Sequence, residues 1–258
     1  MSMYDNDKIF NHSFDKNFIS QYLIHAQWTE LIEFKKAITE IYSRLKREIK
    51  ILDIGIGNAR VPQHLFEIKE IWDKIDLYFG IDNSNTCINA SNDFIAKNNL
   101  TKKVKVELLD ATNIATLNQN FDVVICTWFT PGNFYPSGFS FSNYANAELK
   151  LNLDSNKKFE NIFQSAYNLL NPQGELILGA VYIDNNETRI KQELSYQKMQ
   201  MQIITSKQDS FTATTDGFWS QRFTNEKLFN YLHFISIEKF RFIPLDTYQY
   251  AMQVRILK

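Results

Sequence analysis

The sequence predicts a doubly wound α/β fold: a seven-stranded mixed sheet with helices on both faces and an antiparallel hairpin at its C-terminal end. Three observations carry this reading. Between about residues 49 and 183, short apolar runs of strand length alternate with segments of helical periodicity. The first of those runs ends in an acid-x-Gly-x-Gly turn that opens a helix. The last two β-type runs, 234–243 and 248–257, share a short turn with Pro244 and Asp246, so they pair antiparallel.

Each element follows in order. Residues 1–30 are polar and aromatic without strong periodicity, whereas Phe34, Ile38, Ile41, Leu45 and Ile49 recur at spacings of three and four and predict a helix from Leu31. The run 49–54 reads as a buried strand closed by Gly55, and Pro62 suits the first turn of a helix over 61–72. A second strand covers 75–82. Ser84 caps a helix to Lys97 with Ile88, Ser91 and Ile95 on one face. Strands follow at 103–110 and 121–127, then a helix at 157–170 with Phe159, Ile162, Phe163, Ala166 and Leu170 inward. Asn171-Pro172-Gln173-Gly174 is a turn before a strand at 175–183. A polar helix at 186–198 precedes an extra β-insertion of runs at 201–206, 211–215 and 218–223, the last two joined by the hairpin signal Asp216-Gly217. A short helix follows Thr224.

Composition bounds the function. The 258 residues are 44% hydrophobic, 14% aromatic and 22% charged, which excludes wholesale disorder. The net charge of −1 gives no general attraction to nucleic acid or anionic membranes, and Lys102-Lys103-x-Lys105 is an ordinary solvated strand end. Cys87 and Cys126 lie in apolar segments and read as buried free thiols. The four histidines and these cysteines have no metal-ligand spacing. No run suits a membrane span, and the N-terminus lacks an apolar signal core, so a cytoplasmic protein is expected. Only 8 glycines occur, so each has a local reason, and Gly55 and Gly57 allow a tight turn and close approach of backbone to a ligand. Arg60 stands where a dinucleotide fingerprint needs a third small residue, which weakens a dinucleotide site. Asp82 ends the second strand, where an acid can accept both hydroxyls of a ribose, and Asp110-Ala111 ends the third, where an acid and a backbone N–H suit the edge of an adenine.

The set Asp53-x-Gly55-x-Gly57, Asp82, Asp110, Phe121-Asp122-Val123-Val124 and Leu169-Leu170-Asn171-Pro172-Gln173-Gly174-Glu175-Leu176 resembles the class I S-adenosylmethionine-dependent methyltransferases, over about residues 49–183. The resemblance implies a Rossmann-like fold in one domain, with a helical N-terminal lid at 1–48, a cofactor-binding core at 49–183 and a substrate-side part at 184–258. It implies S-adenosylmethionine as cofactor. Gly55 and Gly57 would pass its methionine part, Asp53 would help bind the amino group directly or through water, Asp82 would hold the ribose hydroxyls, Asp110 and Ala111 the adenine, and Asn83 would also bind the cofactor. Thr127 would border the methyl-transfer site. Arg60 reads equally as a partner for a carboxylate and as an exposed first-turn residue.

Methyl transfer from a sulfonium is an in-line displacement that needs alignment and desolvation more than acid–base groups. The long loop after residue 127, through Trp128, Phe129, Asn133, Tyr135 and on to Phe141, is therefore the expected acceptor site, with self-packing of the loop as the alternative. Its Thr127-Trp128-Phe129-Thr130-Pro131 run differs from the Asn/Asp-Pro-Pro-aromatic run of the family's nucleic-acid and amide enzymes, which favours a small-molecule N or O acceptor over RNA or protein. Tyr22 and His25 share a helix face and either could orient or deprotonate a nucleophile; lid packing is the alternative. Phe218, Trp219 and Arg222 read as a substrate wall or as a homodimer contact. A non-catalytic cofactor-binding or protein-interaction module is the competing function.

Overall fold

The sheet is built from runs that are apolar on both faces because helices cover both. The computed structural model describes residues 3–15, 17–139, 151–204, 210–245 and 250–258. β1 (Ile49–Ile54), β2 (Ile75–Asp82), β3 (Val104–Leu108), β4 (Phe121–Cys126) and β5 (Leu170–Ile183) lie parallel in the order β3-β2-β1-β4-β5. Beyond β5, β9 (Ala251–Leu257) runs antiparallel and pairs in turn with β8 (Phe240–Pro244). These are the seven expected strands. The sheet counts nine because the hairpin β6 (Phe211–Ala213) and β7 (Trp219–Phe223) joins the carboxyl end of β5 through Tyr182↔Arg222 and Ile183↔Phe223.

Alternation along the strands sorts the core into two layers. Leu52, Ile54, Val124, Leu176 and Leu178 pack with Phe159, Ile162, Phe163 and Ala166 of α6 (Lys157–Asn168), beneath α8 (Asn225–Tyr231). Ile49, Ile51, Val123, Ile125 and Ile177 pack with Phe34, Ile38 and Ile41 of α2 (Gln21–Leu45) and with Ile88 and Ile95 of α5 (Asn85–Lys97). Ser84 caps α5 by accepting from the Cys87 N–H, and Cys87 and Cys126 are buried and free. A third cluster ties α1 (Asp7–Phe14) and the start of α2 to α7 (Asn186–Lys198): Ile9, Leu23 and Ala26 pack with Tyr196 and Met199, and His12 Nδ1 lies 2.7 Å from the Met199 carbonyl.

Several expected boundaries move. α2 starts at Gln21, ten residues earlier than its apolar stripe suggested, because Ser20 caps it. The helix expected over 61–72 is two, α3 (Arg60–Phe66) and α4 (Lys69–Trp72), since Ile68 leaves helical geometry and the break sets Phe66 edge-on to Trp72. The expected turn at 171–174 is a bulge inside β5, where Gln173 takes φ 65° and the register jumps from Phe121↔Leu170 to Val123↔Glu175. β8 starts at Phe240 rather than 234 because Leu232 and Ile235 are buried at the end of α8 and a 3-10 turn, Ile237–Lys239, intervenes. Of the expected run 201–206, Ile203 forms an isolated bridge to Thr214, and residues 205–206 lie outside the described residues, as do Ser140, Phe141, Asp246 and residues 248–249. Among the described residues no helix is long and apolar enough to cross a membrane.

Candidate active site

The carboxyl ends of β1 to β4 open into one cleft of about 660 Å³, within the ordinary range of small-ligand sites. Its floor is the turn after β1. Gly55 and Gly57 sit at φ 80° and 61°, where L side chains are strained, and a Cβ on Gly57 would press on the Phe14 ring at 3.3 Å. This turn presents its backbone to the cleft because nothing larger fits.

Asp82 ends β2 at the cleft wall. Its Oδ2 accepts from the Gly57 N–H (3.0 Å) and its Oδ1 from the Ser84 N–H (2.9 Å). A carboxylate has about four lone-pair sites, and with the Asn83 N–H as a third backbone donor roughly one remains for a ligand's hydroxyl. Burial raises its pKa, against the backbone donors of Ser84, Gly57 and Asn83. Asp110 follows β3, and its Oδ1 accepts from both the N–H and the hydroxyl of Thr112 (2.8 and 2.7 Å). Burial pushes its pKa up, but the Thr112 donors, Lys158 and the Asn83 side chain outweigh this and the carboxyl sits below its ordinary value. Asn83, Ala111 and Thr127 line the same wall.

Asp53 is not on that wall. It is 1% exposed beneath the turn, where Oδ2 accepts from the Tyr78 hydroxyl at 2.6 Å and Oδ1 has no hydrogen-bond partner. Burial pushes its pKa up to about 7, with Tyr78 and Arg60 pulling the other way. Any influence on a ligand passes through the glycine turn above it.

The other side of the cleft comes from the N-terminal segment, the stretch after β4 and the β6–β7 turn. Tyr4, Asp5, Asn6 and Phe14 line it, and Ser84 Oγ donates to Asp5 Oδ1 at 2.8 Å, fastening this segment across the end of β2. After β4 the chain turns sharply, with Trp128 and Phe129 both in the left-handed region, into a 3-10 turn, Thr130–Asn133. Trp128, Asn133 and Tyr135 line the cleft, and Asn133 Oδ1 is buried without a partner. Phe129 does not line it: its ring stacks on Tyr182 at 3.8 Å, in the cluster that anchors the N-terminal helices.

Tyr22 and His25 are also absent from the cleft wall. They share a face, as their spacing requires, but it is the outer face of α2: His25 is exposed, and Tyr22 is 43% exposed, with Lys191 Nζ over its ring at 5.0 Å. The residue of α2 that reaches inward is Glu30. Its Oε1 accepts from the Trp128 N–H (2.8 Å) and its Oε2 from Arg60 Nη2 (2.6 Å). Arg60 lines the cleft and lies over the Trp128 ring at 5.2 Å, so its carboxylate partner is in this chain. Glu30 was legible in principle, because it continues the spacing Ala26, Glu30, Phe34, Ile38 of the buried stripe, where an acid needs a partner. The sequence also left unmarked Asp5, Asn6, Lys158 and Asp216, which line the cleft from segments far apart in the chain. Among the described residues no three His, Cys, Asp or Glu side chains are grouped to hold a metal ion.

A methyltransferase-domain family matches residues 45–231. No curated protein matches the chain in sequence. In fold it is similar to a magnesium protoporphyrin IX methyltransferase from Synechocystis PCC 6803 with bound SAH, at 11% identity and a TM-score of 0.59 over 99% of this chain and 96% of that one. It is similar too to an S-adenosylmethionine-dependent methyltransferase from Clostridium acetobutylicum ATCC 824 (10%, TM-score 0.56, 99% of both chains). A third is a 1,6-didemethyltoxoflavin-N1-methyltransferase from Burkholderia thailandensis with bound 1,6-didemethyltoxoflavin and S-adenosylhomocysteine (13%, TM-score 0.52, 99% of this chain and 87% of that one). With the acid-Gly-Gly turn and the parallel core in place, the chain belongs to the methyltransferase-domain family and is an S-adenosylmethionine-dependent class I methyltransferase.

Proposed function

We propose that the chain moves the methyl group of S-adenosylmethionine to nitrogen or oxygen of a small molecule held in the cleft. The observation that carries this is a single cleft with two chemically different sides. One is built from strand ends that present backbone and spare carboxylate lone pairs; the other is built from aromatic side chains of three separate segments.

The residues present fit the cofactor. The positive-φ turn at Gly55 and Gly57 leaves room along its backbone for the methionine part, and the remaining lone pair of Asp82 suits a ribose hydroxyl. Asp110, held by Thr112 and Asn83, and the backbone of Ala111 suit the adenine edge, while Thr127 borders the transfer site. When bound, the cofactor supplies an electrophilic methyl on a sulfonium. Asp53 acts from below, keeping a carboxyl under the turn. Trp128, Asn133 and Tyr135 position the acceptor and exclude water; Phe129 braces the loop from behind. Catalysis here rests on alignment, so the cleft needs no dedicated base.

Enclosure supports a small acceptor: the N-terminal segment is fastened across the cleft by Asp5–Ser84. The Synechocystis and Burkholderia proteins act on small molecules by their names, which agrees with this reading. On it, residues 1–258 work as one unit: 1–48 as lid, 49–183 as cofactor core, 184–258 as acceptor-side wall. Isothermal titration with S-adenosylmethionine tests it. Wild-type protein should bind, and Asp82→Ala should lose affinity by about tenfold, the cost of one hydrogen bond to a charged group. No binding by the wild type ends the reading.

A further inference from the structure

The proposed reading leaves one side of the cleft for the acceptor. Of the four acids that line the cleft, Asp82 and Asp110 belong to the cofactor side and Asp5 and Asp216 to the acceptor side, against two bases, Arg60 and Lys158. Arg60 is neutralised by the buried carboxylate of Glu30. Lys158 lies over the Tyr135 ring at 4.8 Å and acts on Asp110. Asp5 is engaged by Ser84. Asp216, at the tip of the β6–β7 hairpin, is in no salt bridge or side-chain hydrogen bond among the described residues.

The hairpin is built into the site. Gly132, in the 3-10 turn after β4, lies so close to β7 that a Cβ there would meet the Gln221 carbonyl oxygen at 2.8 Å. Trp219 of β7 is 1% exposed, lines the cleft, and has an indole Nε1 without a hydrogen-bond partner. Its ring meets Tyr135 edge-on with centroids 6.2 Å apart, and Tyr4 and Phe14 face the cleft from the N-terminal segment.

We infer that the acceptor is an amine that enters as an ammonium, with Asp216 as its counter-charge and the Tyr135 and Trp219 rings as its wall. This deepens, and rests on, the methyl-transfer reading. Aromatic faces attract cations through the ring quadrupole. With Arg60 held by Glu30 and Lys158 over Tyr135, the unpaired Asp216 carboxylate favours a cation over a carboxylate or phosphate at this side. A neutral hydroxyl acceptor could donate one hydrogen bond to the Asp216 carboxylate but would leave its charge unpaired. The assignment also gives a role to residues 211–223, which no cofactor motif uses. The chemistry balances: the ammonium releases a proton to water, the freed nitrogen lone pair forms the N–C bond, and the S–C bond breaks with its electron pair left on sulfur.

The test uses the full chain saturated with S-adenosylhomocysteine and three probes with one ring and different heads: tyramine, 2-(4-hydroxyphenyl)ethanol and 3-(4-hydroxyphenyl)propionate. Dissociation constants are read by ligand-observed NMR. Tyramine should bind about tenfold more tightly than the alcohol, and the acid most weakly. Asp216→Asn should bring tyramine down to the level of the alcohol while the S-adenosylhomocysteine affinity of the variant, the check on its fold, stays as in the wild type. Equal or tighter binding of the alcohol or the acid, an advantage for tyramine that survives Asp216→Asn, or no binding by any probe would overturn the inference while leaving the methyl-transfer reading intact. Failure to bind S-adenosylhomocysteine at all would bring down both.

Discussion

At the amino ends of the strands, Glu175 of β5 accepts from Arg255 Nε and Nη2 (2.7 and 2.9 Å) and from Arg44 Nη2 (2.8 Å), while Asp122 of β4 takes both arms of Arg47 (2.8 and 2.6 Å), the Lys50 N–H and the Asn171 amide. At the carboxyl ends, Asp53 has one donor and a bare Oδ1, and Asp82 has three backbone donors and no cation. Burial raises the pKa of all four. At the amino end the arginines win, and Glu175 and Asp122 fall below their ordinary values; at the carboxyl end burial wins, and Asp53 and Asp82 rise. Equally buried acids thus serve two purposes. Saturated ones tie α2 and β9 to β5, and unsaturated ones leave acceptor atoms unused: Asp53 beneath the glycine turn and Asp82 at the cleft wall.

The largest effect should come from breaking a saturated site. Arg255→Ala removes two of the three bonds to Glu175 and the 2.7 Å pair with Glu40 on α2, leaving a buried carboxylate with Arg44 alone. Urea unfolding should show a loss of about 3 kcal/mol, as for a buried pair stripped of one partner. Titration with S-adenosylmethionine should be unchanged. A large drop in cofactor affinity would erase the distinction between the two ends.

The second effect concerns pH. An acid whose folded pKa lies above its unfolded value stabilises the fold at low pH and loses that contribution as pH rises through the folded value. For Asp53, with a folded pKa of about 7, the loss accumulates from about pH 4 to pH 7. Asp53→Asn should flatten this part of the stability profile and gain about 2 kcal/mol on the wild type between pH 5 and pH 8, half of what the full shift would give by linkage. Thermal unfolding at the two pH values checks it; a parallel profile for the variant would mean that Asp53 is already ionised and paired by a route the side-chain contacts do not contain.

The alternation of strands and helices, and the gathering of Gly55, Gly57, Asp82, Asp110 and Ala111 at one cleft, were legible because their signal is local: a strand end, a turn and a helix start within ten residues. Asp53 was read as a ligand because its position in the motif says where the backbone goes, whereas burial under the turn depends on Tyr78 in the next strand. Tyr22 and His25 were given a common face correctly, but which face of α2 looks inward depends on Ser20 and on packing against α7. Asp5 and Asp216 meet at the cleft from 211 residues apart, and Glu30 reaches it only through Arg60, 30 residues on; no window of periodicity spans such distances.

The smallest effect is the sharpest test of the comparison, because Asp110 has features of both ends. Its pKa is lowered, as at the amino end, yet its donors are the N–H and hydroxyl of Thr112, as in an ordinary turn, and the Asn83 side chain, with no bonded cation. Asparagine keeps the side-chain oxygen that accepts these bonds, so Asp110→Asn should leave stability within about 0.5 kcal/mol of wild type. What it removes is the charge that an adenine amino group would feel, one hydrogen bond weakened from charged to neutral, about 1 kcal/mol or fivefold in cofactor affinity. A fivefold weaker titration with unchanged unfolding places Asp110 with Asp82 among the groups kept for the ligand. An unchanged titration leaves it as the cap of the Ala111–Thr116 turn and moves adenine recognition to the backbone of Ala111 alone.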